Sequence, residues 1–533
     1  MKFKRFGALV CMSSGGCLTL ESLKKYVLLL EKMGYNTFEV VFDDTIKIEE
    51  EPYYGYMMGG YTVQELQELD QFAYDHGIEL IPSIQTLGHL DRLVKVPQIA
   101  DKMHDIFNII QADNEETYKL LDKLFATVRK AFRSDLVSIG FDEAFWVGRG
   151  WYLNKNGYVD KYEILFRHLN KVSEIAASHN LKCMMWHDLF MSFEYGFGNA
   201  SVKNAKIPEK VLEKIPEGMT INYWEYLSKD EELYDSMFKT LKFFNRELWF
   251  TSSIFTCRGF APHFNLSLKA NKAALEACEK NHIENYIVSL WSDSNDDCSH
   301  FSPIAALYTV KQYADGIFDE KIIKEGFKKM FGYDYDDFMA LQLPNKFPSN
   351  PNIDQIHCHT KVSMYNDPLL GLRDGLYEKE GKPDFASYSK KLYEISSRMG
   401  EYAYIFEKEA AMCAVLDIKY DLGIKLRKAY QSKNKEELAH LSSQIAECVR
   451  RLDIFRNAFR KEWYIEYKAH GWDIQEYRLG GLRARLLGSK ESIDDYLSNK
   501  LASIEELEEK LLQFGCFYSE YNDFYATISL RNI

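Results

Sequence analysis

Asp142 and Glu143 stand side by side at the end of the apolar run Leu136 to Phe141. Neighbours on a strand point to opposite faces, so both carboxyls reach one ligand only if the backbone turns just after Phe141. Two carboxyls in one pocket repel, which raises the pKa of at least one. A carboxyl kept protonated near neutral pH can act as a general acid. Other chemically able residues end other apolar runs. Asp43 and Asp44 follow Thr37 to Phe42, and Leu87-Gly88-His89 follows Ile78 to Pro82. Lys182 to Trp186 leads into Trp186-His187-Asp188, Thr220 to Tyr223 into Trp224-Glu225, and Tyr286 to Leu290 into Trp291-Ser292-Asp293. Any one of these is as easily structural as functional. Acids, a histidine and three tryptophans at corresponding positions are hard to explain as core, because an indole N–H needs a partner. Together they outline a pocket of carbohydrate size.

The elements that would position them alternate along the first 317 or so residues. Phe6 to Met12 reads as a strand, and Leu20 to Met33 as a helix with Leu23, Tyr26, Val27 and Leu30 on one face and Gly34 at its end. Thr62 and Glu65 form a capping-box pattern for a helix running to His76. Helices near Glu115 to Phe132 and Lys161 to His179 precede the next two strands, and Leu248 to Ser252 supplies a seventh. Eight strand–helix units with apolar strands predict a parallel sheet closed into a (β/α)8 TIM barrel. A doubly wound open sheet is the alternative. In the barrel, chemistry sits on the loops after the C-terminal strand ends, where the residues above fall. Pro303 to Ala314 reads as the eighth helix. Beyond it the pattern turns to charged amphipathic helices. The expected division is a catalytic barrel over 1–317 and a mainly helical region over 318–533, which packs on the barrel or makes a homo-oligomer contact.

Bulk properties narrow the partners. A chain of 533 residues with 46% apolar and 27% charged residues is an ordinary globular composition of two or three domains. Aromatics at 14% are high, and flat faces suit stacking on pyranose rings as well as core. A net charge of −13 argues against nucleic acid, which needs a basic footprint. Ten cysteines without a CxxC fit reduced, buried thiols in a cytoplasmic protein. The basic start before Phe6 imitates a signal peptide, but a buried strand fits its short apolar run better. No run of about 20 apolar residues predicts a membrane span. His357 and His359 would point the same way on an extended segment, yet no further ligand lies nearby in sequence. Neither a metal nor a cofactor is called for.

A retaining glycosidase ordinarily places its acid and nucleophile about 5 Å apart, on opposite sides of the anomeric carbon. Adjacent residues straddle a sugar poorly. They fit a different division, in which the substrate's own 2-acetamido oxygen attacks. One acid then orients the amide while the other protonates the leaving oxygen.

Four segments resemble the family-20 glycoside hydrolases, the β-N-acetylhexosaminidases. Gly140-Phe141-Asp142-Glu143-Ala144 is similar to the family's Gly-x-Asp-Glu segment. Gly77 to Pro82 with Leu87-Gly88-His89 resembles its third strand and Gly-His turn, and Asn36 to Asp44 its second strand. Leu290-Trp291-Ser292-Asp293 resembles its eighth strand end, usually Trp-x-Glu. Arg478 to Gly481 and Trp463 look like the helical tail of a subgroup without the N-terminal α/β domain.

The resemblance implies an exo-acting enzyme that removes terminal β-linked GlcNAc or GalNAc from an oligosaccharide or glycoconjugate. Glu143 would be the general acid, then the base. Asp142 would hold the acetamide. Trp186, Trp224 and Trp291 would wall its pocket and floor the sugar. Asp44 and His89 would form a relay behind Glu143, and Asp293 would bind sugar hydroxyls. The chain also departs from the family. Met12-Ser13-Ser14-Gly15 lacks the arginine many members carry after the first strand, and Asp293 is one carbon shorter than glutamate. The usual acetamide-binding tyrosine is not evident in Phe255 to Phe260, where Arg258 is the polar candidate. A glycosidase for a different or modified sugar, and a sugar-binding barrel without turnover, stay open as alternatives.

Overall fold

The protein's structure, a computed structural model, describes residues 3–12, 15–292 and 296–512. Eight parallel strands close a barrel in chain order: β1 (Arg5–Cys11), β2 (Thr37–Val41), β3 (Glu79–Ser83), β4 (Leu136–Ser138), β5 (Lys182–Trp186), β6 (Thr220–Trp224), β7 (Glu247–Ser253) and β8 (Asn285–Leu290). β1 pairs with β8 as well as β2, so no edge is left open and the open-sheet alternative is set aside. The interior is packed rather than hollow. Leu9, Cys11, Val41, Ile81, Leu136, Met184, Trp186, Trp249 and Ile287 fill it, with Trp224 and Trp291 packed against them. Each such side chain contributes roughly 1.5–3 kcal/mol by leaving water.

Helix ends follow local chemistry. Leu20–Met33 starts at Thr19, whose side chain accepts from Ser22 N, and stops at Gly34 in a left-handed conformation of φ 82°. Val63–Asp75 begins with both bonds of the Thr62–Glu65 capping box in place. Several elements were not expected, two of them on the loops after β3 and β5. A two-stranded hairpin, His104–Ile106 with Ile109–Ile110, lies between β3 and the helix Glu115–Ala131. A short helix, Asp188–Tyr195, directly follows β5.

The largest boundary difference is at β4, which ends at Ser138 instead of Phe141. Gly140 and Phe141 lie at φ 73° and 68°, and Glu143 at φ 50°, so the ladder cannot continue. The backbone turns before the acid pair rather than just after Phe141.

The chain forms two compact units. The first comprises residues 1–254, 267–291 and 307–319, and the second 255–266, 292–306 and 320–533. The segments after β7 and β8 group with the helical unit. That unit is built on long helices such as Ala403–Lys419, Lys435–Glu466 and Trp472–Leu497. Inside it the Lys408 ammonium sits 2.6 Å from Glu462, and Lys361 2.5 Å from Asp297. Glu466 accepts from His300 N at 3.0 Å and Tyr404 Oη at 2.9 Å. These bonds fix residues 296–300. His357 and His359 do come together, though not as alternating residues of an extended segment. His359 opens the helix His359–Tyr365, and the two rings stack at 4.3 Å. His357 Nε2 donates to Asn345 O at 3.0 Å. Among the described residues no three His, Cys, Asp or Glu side chains group as metal ligands.

Candidate active site

The turn after β4 builds the site. A Cβ on Gly140 would lie 1.9 Å from Gln85 Oε1, so only glycine lets Gln85 occupy its place. Gln85 Nε2 donates to Asp142 Oδ1 at 3.2 Å. The left-handed residues then bring both acids to one imidazole. His89 Nε2 lies 3.2 Å from Asp142 Oδ2 and 3.4 Å from Glu143 Oε2. The two acids differ in access: the Asp142 side chain is 15% exposed and that of Glu143 48%.

The electrostatics differ from simple mutual repulsion. Burial disfavours a charged His89, but the charges of Asp142, Glu143 and Asp43 outweigh it and hold its pKa well above the ordinary value. Burial likewise opposes ionisation of Asp142, yet His89 and the Gln85 bond leave its pKa below the usual carboxylate value. A third carboxyl near the pair, Asp188, is raised. Burial first, then the charge of Asp142, push it up to about 8.

Asp188 was visible as the last residue of Trp186-His187-Asp188, with no role assigned to it. Its carboxylate oxygens accept from Glu143 N at 2.9 Å and from Trp224 Nε1 at 3.3 Å. It therefore ties the turn that carries Glu143 to the indole at the end of β6. No sequence signal marked Gln85. His187, its neighbour in sequence, is buried, bonds to Ala200 O at 2.8 Å, and is held at a pKa of about 4 by burial. It is a structural residue.

Asp43–Thr45 makes a tight turn in which Asp43 sits at φ 45°. Asp44 pairs with Arg92, and the charge of Asp43 adds to those of Asp142 and Glu143 in raising His89. Arg92 is a second residue the sequence did not single out. Trp186 is buried in the barrel centre, its ring centroid 6.2 Å from that of Trp291. Trp224 is half-buried and stacks on Tyr226 at 4.9 Å. Asp293 lies outside the described residues, as do Ser13 and Ser14. Arg258 is buried in the second unit.

A closed parallel barrel that gathers two adjacent acids, an imidazole and indoles at its C-terminal strand ends defines a (β/α)8 barrel whose reactive groups are carboxyls. Comparison with known proteins narrows the class. The model of the glycosyl hydrolase family 20 catalytic domain matches residues 21–240, and that of the glycoside hydrolase 20C C-terminal domain matches residues 336–524. Together the two account for well over half of the chain, which belongs to glycoside hydrolase family 20.

Similar solved structures include a GH20 exo β-N-acetylglucosaminidase from Vibrio harveyi, at 14% identity and a TM-score of 0.47, covering 64% of this chain and 58% of that one. A Flavobacterium johnsoniae chitobiase is 15% identical with a TM-score of 0.46, covering 84% and 75%. A β-N-acetylhexosaminidase from Bacteroides fragilis is 15% identical with a TM-score of 0.46, covering 62% and 70%. The chain thus spans a little over half the length of the Vibrio protein.

Proposed function

We propose that the protein is an exo-β-N-acetylhexosaminidase that removes terminal β-linked GlcNAc or GalNAc from oligosaccharides or glycoconjugates. The observation that carries the reading is the acid pair itself, two adjacent carboxyls within 3.4 Å of one imidazole nitrogen, one buried and one open. The mechanism is substrate-assisted and retaining. Asp142, with its lowered pKa, is an anion at neutral pH. It orients the acetamide N–H while the acetamide oxygen attacks the anomeric carbon, and it balances the positive charge of the oxazolinium ion that forms. Glu143 protonates the leaving oxygen, then takes a proton from the water that opens the ring. The positively charged His89 keeps two neighbouring carboxyls from repelling one another out of position. Trp224 and Trp291 border the sugar, Trp186 supports them, and Asp293 binds hydroxyls.

Glu143→Gln decides the assignment. The natural protein should hydrolyse the p-nitrophenyl β-glycosides of both N-acetylated sugars and be inhibited by a thiazoline mimic of the intermediate. The variant should lose about 10²–10⁴-fold in kcat. Intact activity in the variant sinks the assignment. The absence of an arginine in Met12 to Gly15 favours one second reading, a related glycosidase for a modified sugar. Covalent trapping by a fluorosugar would select it, because the substrate-assisted route forms no glycosyl–enzyme bond.

The proposal extends to a cytoplasmic setting, supported by nine described cysteines that are all buried. It also includes a homo-oligomer formed through the helical region, which light scattering tests. No nucleic acid or membrane partner is part of it. The net charge is −13, and no described helix is long and apolar enough to cross a membrane.

A further inference from the structure

Three large aromatic side chains on the loops that carry the site stand in water. Phe107 is 66% exposed, Trp146 48% and Phe197 62%. They touch one another: Trp146 lies 6.4 Å from both Phe107 and Phe197, and Phe145 meets Phe197 edge-on at 4.6 Å. A lone exposed aromatic needs no explanation, but a contiguous cluster does.

Each ring comes from a different strand-end loop, and each loop carries one residue of the site. Trp146 is three residues past Glu143, in a turn closed by Phe145 N donating to Glu143 O at 2.7 Å. Phe107 tips the hairpin that is bonded to the His89 turn, through Leu90 N to Asn108 O and Ile110 N to Leu87 O, both 3.0 Å. Phe197 follows the helix Asp188–Tyr195, whose first residue holds Glu143 N. The platform is fixed from behind. Lys161 donates to Phe145 O at 2.5 Å and sits 5.7 Å from the Trp146 ring centre.

Glu143 delivers its proton to the leaving oxygen, so whatever departs must lie beside it. Three residues of chain reach at most about 11 Å, the length of about two sugar rings. The apolar faces of pyranose rings complement flat aromatic surfaces.

We infer that Phe107, Trp146 and Phe197 form a stacking platform for the leaving portion of the substrate, and that the protein selects β-linked neutral oligosaccharides with at least one sugar beyond the scissile bond. This rests on the hydrolase reading above. The test compares kcat/KM for chitotriose with kcat/KM for the β-azide of N-acetylglucosamine, which has no sugar on the leaving side. The chitotriose-to-azide ratio should fall about tenfold in Trp146→Ala, equivalent to losing one stacked ring of about 1.4 kcal/mol. It should fall less in Phe107→Ala and Phe197→Ala, and Trp146→Phe should restore most of it. An unchanged ratio in all three alanine variants, each melting like the natural protein, overturns the platform alone. So does a natural protein that cleaves the azide but not chitotriose. If the natural protein cleaves neither probe, the hydrolase reading falls with it.

Discussion

Replacing Asp188 by asparagine keeps the size of the side chain and one acceptor oxygen while removing its titration. Asp188 is fully buried, and burial followed by the charge of Asp142 pushes its carboxyl up to about 8. The native protein therefore holds it neutral at pH 7, where an amide is a close mimic. In the unfolded chain the same group releases its proton near 3.9. Between about pH 4 and pH 8 the native state binds one more proton than the unfolded state. Stability of the natural protein then falls as pH rises, by up to about 1.4 kcal/mol per unit from this group.

Over a window of about four units the upper bound is about 5–6 kcal/mol, and relaxation around the site leaves a few. The asparagine variant has no such slope. Urea unfolding of both proteins from pH 5 to pH 8.5 reads the difference. The variant should match or trail the natural protein at pH 5, gain on it steadily toward pH 8, and level off above. A gap between the two proteins that stays constant with pH refutes the buried neutral carboxyl. Asp188→Ala behaves differently, because it leaves Glu143 N and Trp224 Nε1 without their acceptor, at about 1–3 kcal/mol each. Glu143 is also released from its turn, and kcat should fall on the order of 10²-fold.

Two other substitutions probe the supports of the site. Gly140→Ala forces a side chain into a left-handed position at φ 73° and into Gln85, and Asp142 loses its donor. We expect kcat to drop by about 10- to 100-fold in steady-state assays, and full activity with native melting would remove Gln85 from the account. Arg92→Met leaves Asp44 buried without its cation, and urea unfolding at pH 7 should show a loss of about 3–5 kcal/mol. That deficit should shrink as the pH drops and Asp44 takes up a proton. A deficit independent of pH would show that the pair is not what stabilises the fold there.

The barrel was legible because its signals are local and repeated. Apolar runs such as Thr37 to Phe42 alternate with amphipathic helices, and the ends of Leu20–Met33 and Val63–Asp75 are written in Thr19, Gly34 and the Thr62–Glu65 pair. Element boundaries failed where backbone conformation, not side-chain pattern, decides. Phe141 continues an apolar run, yet its left-handed φ ends β4 three residues early. The allegiance of 255–266 and 292–306 was not legible, because buried pairs such as Lys361–Asp297 join residues far apart in sequence.

The acid pair itself shows where reading stops. Alternation along a strand required a turn near Asp142 and Glu143, and Gly140 was the one residue able to begin it cheaply. Phe141 and Glu143 must then adopt the left-handed region without being glycine, which costs on the order of 1–3 kcal/mol apiece and persists only where the surroundings impose it. The imposing contacts come from other strands: Asp188 after β5 holds Glu143 N, Gln85 after β3 holds Asp142, and His89 bridges the carboxyls. None of these is near residue 142 in sequence. A reactive pair can thus be read from its own neighbours, whereas the groups that set its charge and aim exist only once the barrel has closed. The turn at Asp43–Thr45 is set in the same way, by a φ of 45° at Asp43 that no residue type declares.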